Sequence, residues 1–300
     1  MGVVALAAVM LVAAGCGGQT GDGQGAVAPG RFDAQRAFRD LRAQVRIGPR
    51  PAGSAASARE VRLIVRRLRE AGIRDPRVQR PYRDVVARIP GSEPGVVVVG
   101  AHHDTKDLPG FVGANDGASG VAMLLELARD LPRHLAGPSI DLVFFDAEEA
   151  RDGRAFDTDG DRGSRQFVRY AQGGGAQGSP PLARIRAMVL LDMVGDCNLQ
   201  IPREANSDPG LYSLFARAAS SRSPSGSSAP FVGVAPGVLD DHTRFLSAGI
   251  RAVDLIDFDY GPGPSPGAWW HTRRDDLGHV CAESLGAVGE PALEALQGIR

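Results

Sequence analysis

The chain is poor in cysteine, carries almost no net charge, and has no apolar run long enough to cross a bilayer. Three cysteines in 300 residues are too few for a disulfide framework. Cys16 falls in the N-terminal apolar segment, which leaves Cys197 and Cys281. Nothing in their spacing fixes a pairing, and packed free thiols are the expectation. The 34 basic and 35 acidic residues give a net charge of −1, so charge offers no argument for nucleic acid or an anionic membrane as partner. There is no internal repeat. What remains is a composition close to the globular average, 43% hydrophobic and 23% charged, with room for one large domain or two small ones. The 39 glycines and 21 prolines concentrate in the N-terminal tail and in loops at 173–181, 220–229 and 261–267, where they punctuate the fold.

Residues 3–14 are continuously apolar but too short to span a membrane, and read as the core of a signal peptide. Leu11-Val12-Ala13-Ala14-Gly15-Cys16 resembles a bacterial lipobox, with Cys16 as the lipidated residue. Export, with a lipid anchor as the only membrane contact, is the expectation. Residues 17–30 are Gly-rich and read as a flexible tether, so the catalytic domain is expected over 31–300.

Helical spacing of apolar residues predicts helices over 32–45, 57–71, 119–131, 165–170, 208–219, 241–247 and 283–296. The Arg-rich face of the second reads as solvated. Short apolar runs predict strands at 96–100, 140–146, 187–194 and 252–258. This alternation predicts a single α/β domain, its mixed, mostly parallel sheet flanked by helices.

Acidic residues and histidines stand just after several of these runs. They include Gly100-Ala101-His102-His103-Asp104, Asp146-Ala147-Glu148-Glu149 and Leu191-Asp192-Met193. Asn115-Asp116, Asp240-Asp241-His242 and Trp270-His271-Thr272 complete the set. Open α/β sheets place their sites at the carboxyl ends of strands, and His with Asp and Glu suits zinc. His102 and Asp104, two apart on extended backbone, face the same way, so Asp104 can support a ligand imidazole. Glu148 and Glu149 divide naturally into a general base and a ligand. Asp192 interrupts an apolar run and needs a partner. Asp116 alone reads as a helix cap, and Trp270 as a pocket wall or a core anchor. Asp157 to Asp161 lacks a full calcium-loop pattern and reads as a flexible acidic loop. His134 and His279 read as surface residues, and His103 as a packing or supporting one.

Taken in order, His102, Asp116, Glu148-Glu149, Asp192 and His271 resemble the co-catalytic zinc aminopeptidases and their relatives, the glutaminyl-peptide cyclotransferases. The peptidase resemblance implies two zinc ions held by His102, Asp116, Glu149, Asp192 and His271, with Asp116 bridging and Glu148 as base. The cyclotransferase resemblance implies one zinc on Asp116, Glu149 and His271. It also implies Glu148, Asp192 and Asp240 sharing protons, and Trp270 lining the substrate pocket. Phe111 to Asp116, Val143 to Ala150 and Asp240-Asp241-His242 favour the cyclotransferase side. The chain departs from animal members in having no tryptophan within residues 151–154. The leading expectation is therefore cyclisation of N-terminal glutamine on peptides, with release of ammonia. A di-zinc aminopeptidase is second, and a non-catalytic, lipid-anchored metal-binding protein third. The resemblance further implies a cis Asp116–Gly117 bond.

Overall fold

The computed structural model describes residues 1–2, 32–223 and 229–300. The expected signal peptide, Cys16 and the tether fall outside the described residues. The domain opens with two helices among the described residues, α1 (Ala34–Val45) and α2 (Ala55–Glu70), capped by the side chains of Asp33 and Ser54. Strands β1 (Arg77–Val78), β2 (Val85–Ile89) and β3 (Gly91–His102) follow, then α3 (Ala118–Asp130) and β4 (Leu135–Phe145). A short helix α4 (Phe156–Asp159) leads to α5 (Arg162–Gln172) and β5 (Ile185–Asp192). Next come β6 (Ile201–Glu204), α6 (Pro209–Arg222), β7 (Phe231–Ala235), α7 (Asp241–Ser247), β8 (Ala252–Ile256) and α8 (Ala282–Ala295).

Six strands form one sheet in the order β1-β2-β4-β3-β5-β8. The β4-β3-β5-β8 block is parallel, and β2 and β1 add antiparallel to its edge. The sheet is thus mixed and mostly parallel, as predicted. Strand β2 escaped the sequence reading because Arg88 breaks its apolar run; that guanidinium reaches across to Asp141 at 2.6 Å.

Burial on both faces explains the unbroken apolar runs. Val97, Val99 and Ala101 of β3 enter the larger core, with Leu142 and Phe144 of β4 and Val189 and Leu191 of β5. Helices α1, α2, α3, α6 and α8 contribute residues to that side. Val98, Val143, Phe145, Met188 and Leu190 point to the other face, against α5 and α7. There Phe145, Phe167 and Phe245 meet with ring centroids 5.8–6.2 Å apart. Edge-on and tilted aromatic contacts of this kind add about 0.5–1.5 kcal/mol per pair beyond burial. Gly120 lets α3 lie close on the sheet: a Cβ there would stand 2.1 Å from the Leu191 carbonyl oxygen. That close approach sets the height of the Asp116 loop over the strand ends.

Two expectations are corrected. Cys197 and Cys281 form a disulfide rather than free thiols. Asp196 bridges Val280, and the N–H groups of Cys197 and Cys281 donate to the carbonyls of His279 and Gly195. This backbone pairing brings together two cysteines 84 residues apart in sequence. The segment from Asp157 to Asp161 is not a flexible loop either. Arg151 and Arg162 hold Asp159, and Asp161 is fully buried against Arg244 at 2.7 Å.

Candidate metal centre and active site

Parallel pairing brings four strand ends to one edge. His102 ends β3 opposite Phe145, the last residue of β4, and Asp192 ends β5 opposite Ile256 of β8. The chain then turns sharply. Ala147, Asp161, Met193 and His271 all have positive φ, a conformation that costs a non-glycine residue free energy and clusters at functional sites.

Asp116 sits between two histidines. Its Oδ1 lies 3.2 Å from His102 Nε2, and its Oδ2 lies 3.3 Å from His271 Nε2. Asp192 Oδ1 approaches the same His102 nitrogen at 3.3 Å, and Glu149 Oε1 approaches His271 at 3.1 Å. Two donor groups result, His102–Asp116–Asp192 and Asp116–Glu149–His271, each with its ligand atoms within 4.8 Å of one another. Asp116 belongs to both. It does not cap α3, whose N-cap is Gly117, a residue without a side chain. The Asp116–Gly117 bond is not among the cis bonds, which correct the cis expectation: Gly117 makes the turn through φ 93° instead.

The Asp116 loop is held from below. Asp275 accepts the N–H groups of Asn115 at 2.7 Å and Asp116 at 3.1 Å, and Tyr260 donates its hydroxyl to the same carboxylate. Burial, then the nearby Asp116 charge, pushes the Asp275 carboxyl up to about 7. Asp104 stands 3.8 Å from His102 Nδ1, too far for a hydrogen bond. Its oxygens instead accept the backbone N–H groups of Glu148 and Glu149.

Glu148 and Glu149 diverge. Glu149 faces His271 and Lys106, whose Nζ is 3.2 Å away. Glu148 joins Asp161 and Asp240, with carboxylate atoms within 4.8 Å. Burial, reinforced by Glu149, Asp161 and Asp241, holds the Glu148 carboxyl well above the usual range, although His102 pulls it down. Burial does the same to Asp240, reinforced by Asp254, Asp192 and Glu148. Burial would lower His271, but Asp116 and Glu149 raise it to about 9.

A cavity of about 390 Å³ opens over these groups. Trp270 forms one wall, stacked on His271 with centroids 3.7 Å apart, and meets Phe258 edge-on. His242 turns away from the donor groups toward Glu204, 3.3 Å distant. His103 is buried packing, His134 is exposed, and His279 is half-buried against Trp269.

Lys106, Asp161, Asp254 and Asp275 were not foreseen. Lys106 continues the alternation of His102 and Asp104, two residues on, which could have flagged it. The other three act through tertiary neighbours and leave no local signal.

Two imidazoles and three carboxylates converging in a buried pocket fit zinc chemically. Glu149 Oε1 makes no hydrogen bond of good geometry, although His271 Nε2 is 3.1 Å away, as a carboxylate and imidazole that share a cation would. Residues 84–296 match Peptidase family M28. The chain belongs to that family. Within M28, it is 31% identical over 243 residues to the glutaminyl-peptide cyclotransferase of Gloydius blomhoffii. That match spans 66% of this chain and 60% of the relative's length. It is 28% identical over 204 residues to aminopeptidase YwaD of Bacillus subtilis, covering 66% of this chain and 39% of that protein. Among solved structures, an Acidobacteriales bacterium glutaminyl cyclase superposes with a TM-score of 0.78 at 33% identity. It covers 94% of this chain and 99% of its own. This chain is therefore a single α/β domain, its candidate donor groups on the rim of the sheet.

Proposed function

We propose that the protein is a zinc-dependent glutaminyl-peptide cyclotransferase-like enzyme. The observation that carries this reading is Asp240. Its carboxylate lies beside Glu148 and Asp161, next to the donor groups and inside a pocket walled by Trp270. Asp116, Glu149 and His271 would hold the ion, which when bound supplies Lewis acidity toward the glutamine γ-carbonyl. Glu148 takes a proton from the α-amine as that nitrogen bonds to the side-chain carbonyl carbon, closing a five-membered lactam. It returns the proton to the amide nitrogen, which leaves as ammonia. Asp192 and Asp240, which line the same pocket, hold the proton network around Glu148. Trp270 encloses the side chain and excludes water, which disfavours hydrolysis.

One observation favours a second reading, a di-zinc aminopeptidase. Both donor groups are complete and share Asp116. In that case Glu148 would deprotonate an attacking water.

The experiment offers the zinc-loaded protein Gln-peptides and Leu- or Ala-peptides side by side. Ammonia release, an intact chain and one zinc per protein are expected. Two zincs, N-terminal trimming and no ammonia would hand the assignment to the aminopeptidase.

Export with a lipid on Cys16 belongs to the same proposal. The Cys197–Cys281 disulfide supports an oxidising compartment. Among the described residues, no helix is long and apolar enough to cross a membrane.

A further inference from the structure

A second cavity of about 580 Å³ adjoins the first. Gly237, Val238 and Phe258 line both, so the two are one continuous depression. Strands β6 and β7 supply its floor through Pro202, Val232 and Val234. These two strands form a separate small sheet, apart from the six-stranded one. The opposite wall follows β8, and its only charged lining groups among the described residues are Asp257 and Asp259. Asp257 is buried and accepts the Gln200 N–H at 2.7 Å, whereas Asp259 is open to solvent.

This face concentrates unburied apolar surface. The exposed large apolar side chains among the described residues are Met1, Val232, Val234, Leu239 and Leu277. Val232 and Val234 line the second cavity and Leu239 the first. Val234 is 68% exposed. A contiguous apolar patch at the mouth of a reactive pocket marks a place where something docks.

Geometry selects the occupant. A peptide that presents its first residue to Glu148 and Asp240 must lead the rest of its chain out of the pocket. The shared boundary at Gly237, Val238 and Phe258 opens that path into the groove. We infer that the groove over β6 and β7 binds the residues that follow the first residue of a peptide substrate, and that it favours apolar and basic side chains there. The inference rests on the proposal that peptide N-termini are the substrate. Apolar side chains would cover Val232 and Val234, and a lysine or arginine would meet Asp259.

The test uses zinc-loaded protein and three compounds: glutamine amide, Gln-Ala-Leu-Lys and Gln-Ala-Glu-Glu. Ammonia released from glutamine amide together with pyroglutamyl amide, identified by mass, reads the function alone, because hydrolysis of the backbone amide would leave free glutamine instead. Fluorescence anisotropy of the two peptides, labelled at their C-termini, reads the groove without any chemistry. The Leu-Lys peptide is expected to bind more tightly than the Glu-Glu peptide. Val234→Lys should weaken the Leu-Lys peptide by about tenfold, the scale of one buried valine. Asp259→Lys should weaken it by about two- to fivefold and tighten the Glu-Glu peptide, as an exposed charge pair does. Both substituted side chains are exposed, so the fold is not at stake.

If glutamine amide yields no ammonia but the binding preference and its reversal appear, the groove stands and cyclisation falls. If ammonia appears while both peptides bind equally in all three proteins, the groove is wrong and the function stands. Failure of the Leu-Lys peptide to bind at all also overturns the groove.

Discussion

The Asp104 carboxylate holds the backbone of Glu148: its Oδ1 accepts the Glu148 N–H at 3.1 Å, while its Oδ2 accepts that of Glu149 at 3.3 Å. One buried acid on β3's exit loop thus fixes the turn that carries both glutamates.

Asp104→Ala is expected to lower kcat by about 10- to 100-fold, the usual effect of losing a group that orients a metal site. KM should change little, because no substrate contact is removed. Steady-state kinetics with circular dichroism checks this. A folded variant with the parent kcat would show that the turn holds itself.

Glu148→Gln is expected to keep its metal and lose about 10²–10⁴-fold in turnover, the range typical of general acid–base catalysis. Glu149→Gln should instead release metal, since Glu149 belongs to the donor group with Asp116 and His271. Metal analysis of both proteins separates the roles. The reverse pattern would exchange the two assignments.

Much of this site could be read from the chain alone. Val96 to Val99 and Met188 to Leu191 are buried on both faces, so their sequence is unmistakably that of central strands, and the clustering of polar side chains at their ends follows from strand geometry. Asp116 was ambiguous by itself, because an Asp before a helix is an ordinary cap. Only its place in the ordered set marked it. Asp161 and Asp254 were invisible for a different reason. One sits in a run that looks like a solvated turn, the other inside β8 among apolar neighbours, and their burial depends on what packs over them. The disulfide was hidden likewise, since no local pattern announces a bridge between Asp196 and Val280.

Glu60 gives a pH dependence remote from the site. It is fully buried, and neither carboxylate oxygen has a hydrogen-bond partner. Burial raises its pKa from 4.5 to about 7, with Arg50 opposing and Asp40 adding to the rise. The unfolded chain therefore gives up this proton at lower pH than the folded chain. Its contribution to stability is lost as pH rises between those values and stays lost above them. Glu60→Gln should remove that loss, gaining up to roughly 3 kcal/mol at pH 8 relative to pH 4. Thermal melts of both proteins at the two pH values test this. Parallel Tm shifts across pH would rule it out.

Cys281→Ser is expected to cost about 2–5 kcal/mol, as removal of a disulfide closing a long loop does. Dithiothreitol should lower the Tm of the parent protein toward that of the variant and leave the variant's own unchanged. A parent Tm indifferent to reductant, with the bond shown to be reduced, would mean the backbone pairing around it suffices.

Asp116 is shared by two groups whose histidines come from distant parts of the chain, His102 at the end of β3 and His271 beyond β8. A nascent chain that has not yet docked its C-terminal third can offer His102, Asp116 and Asp192 at best. The pocket facing Trp270 closes only after parallel pairing across the whole sheet, the slow kind of contact that must span large sequence separations. If His271 holds the zinc as proposed, metal capture at that site would wait for this pairing, and metal uptake followed in time would reveal when the chain becomes whole.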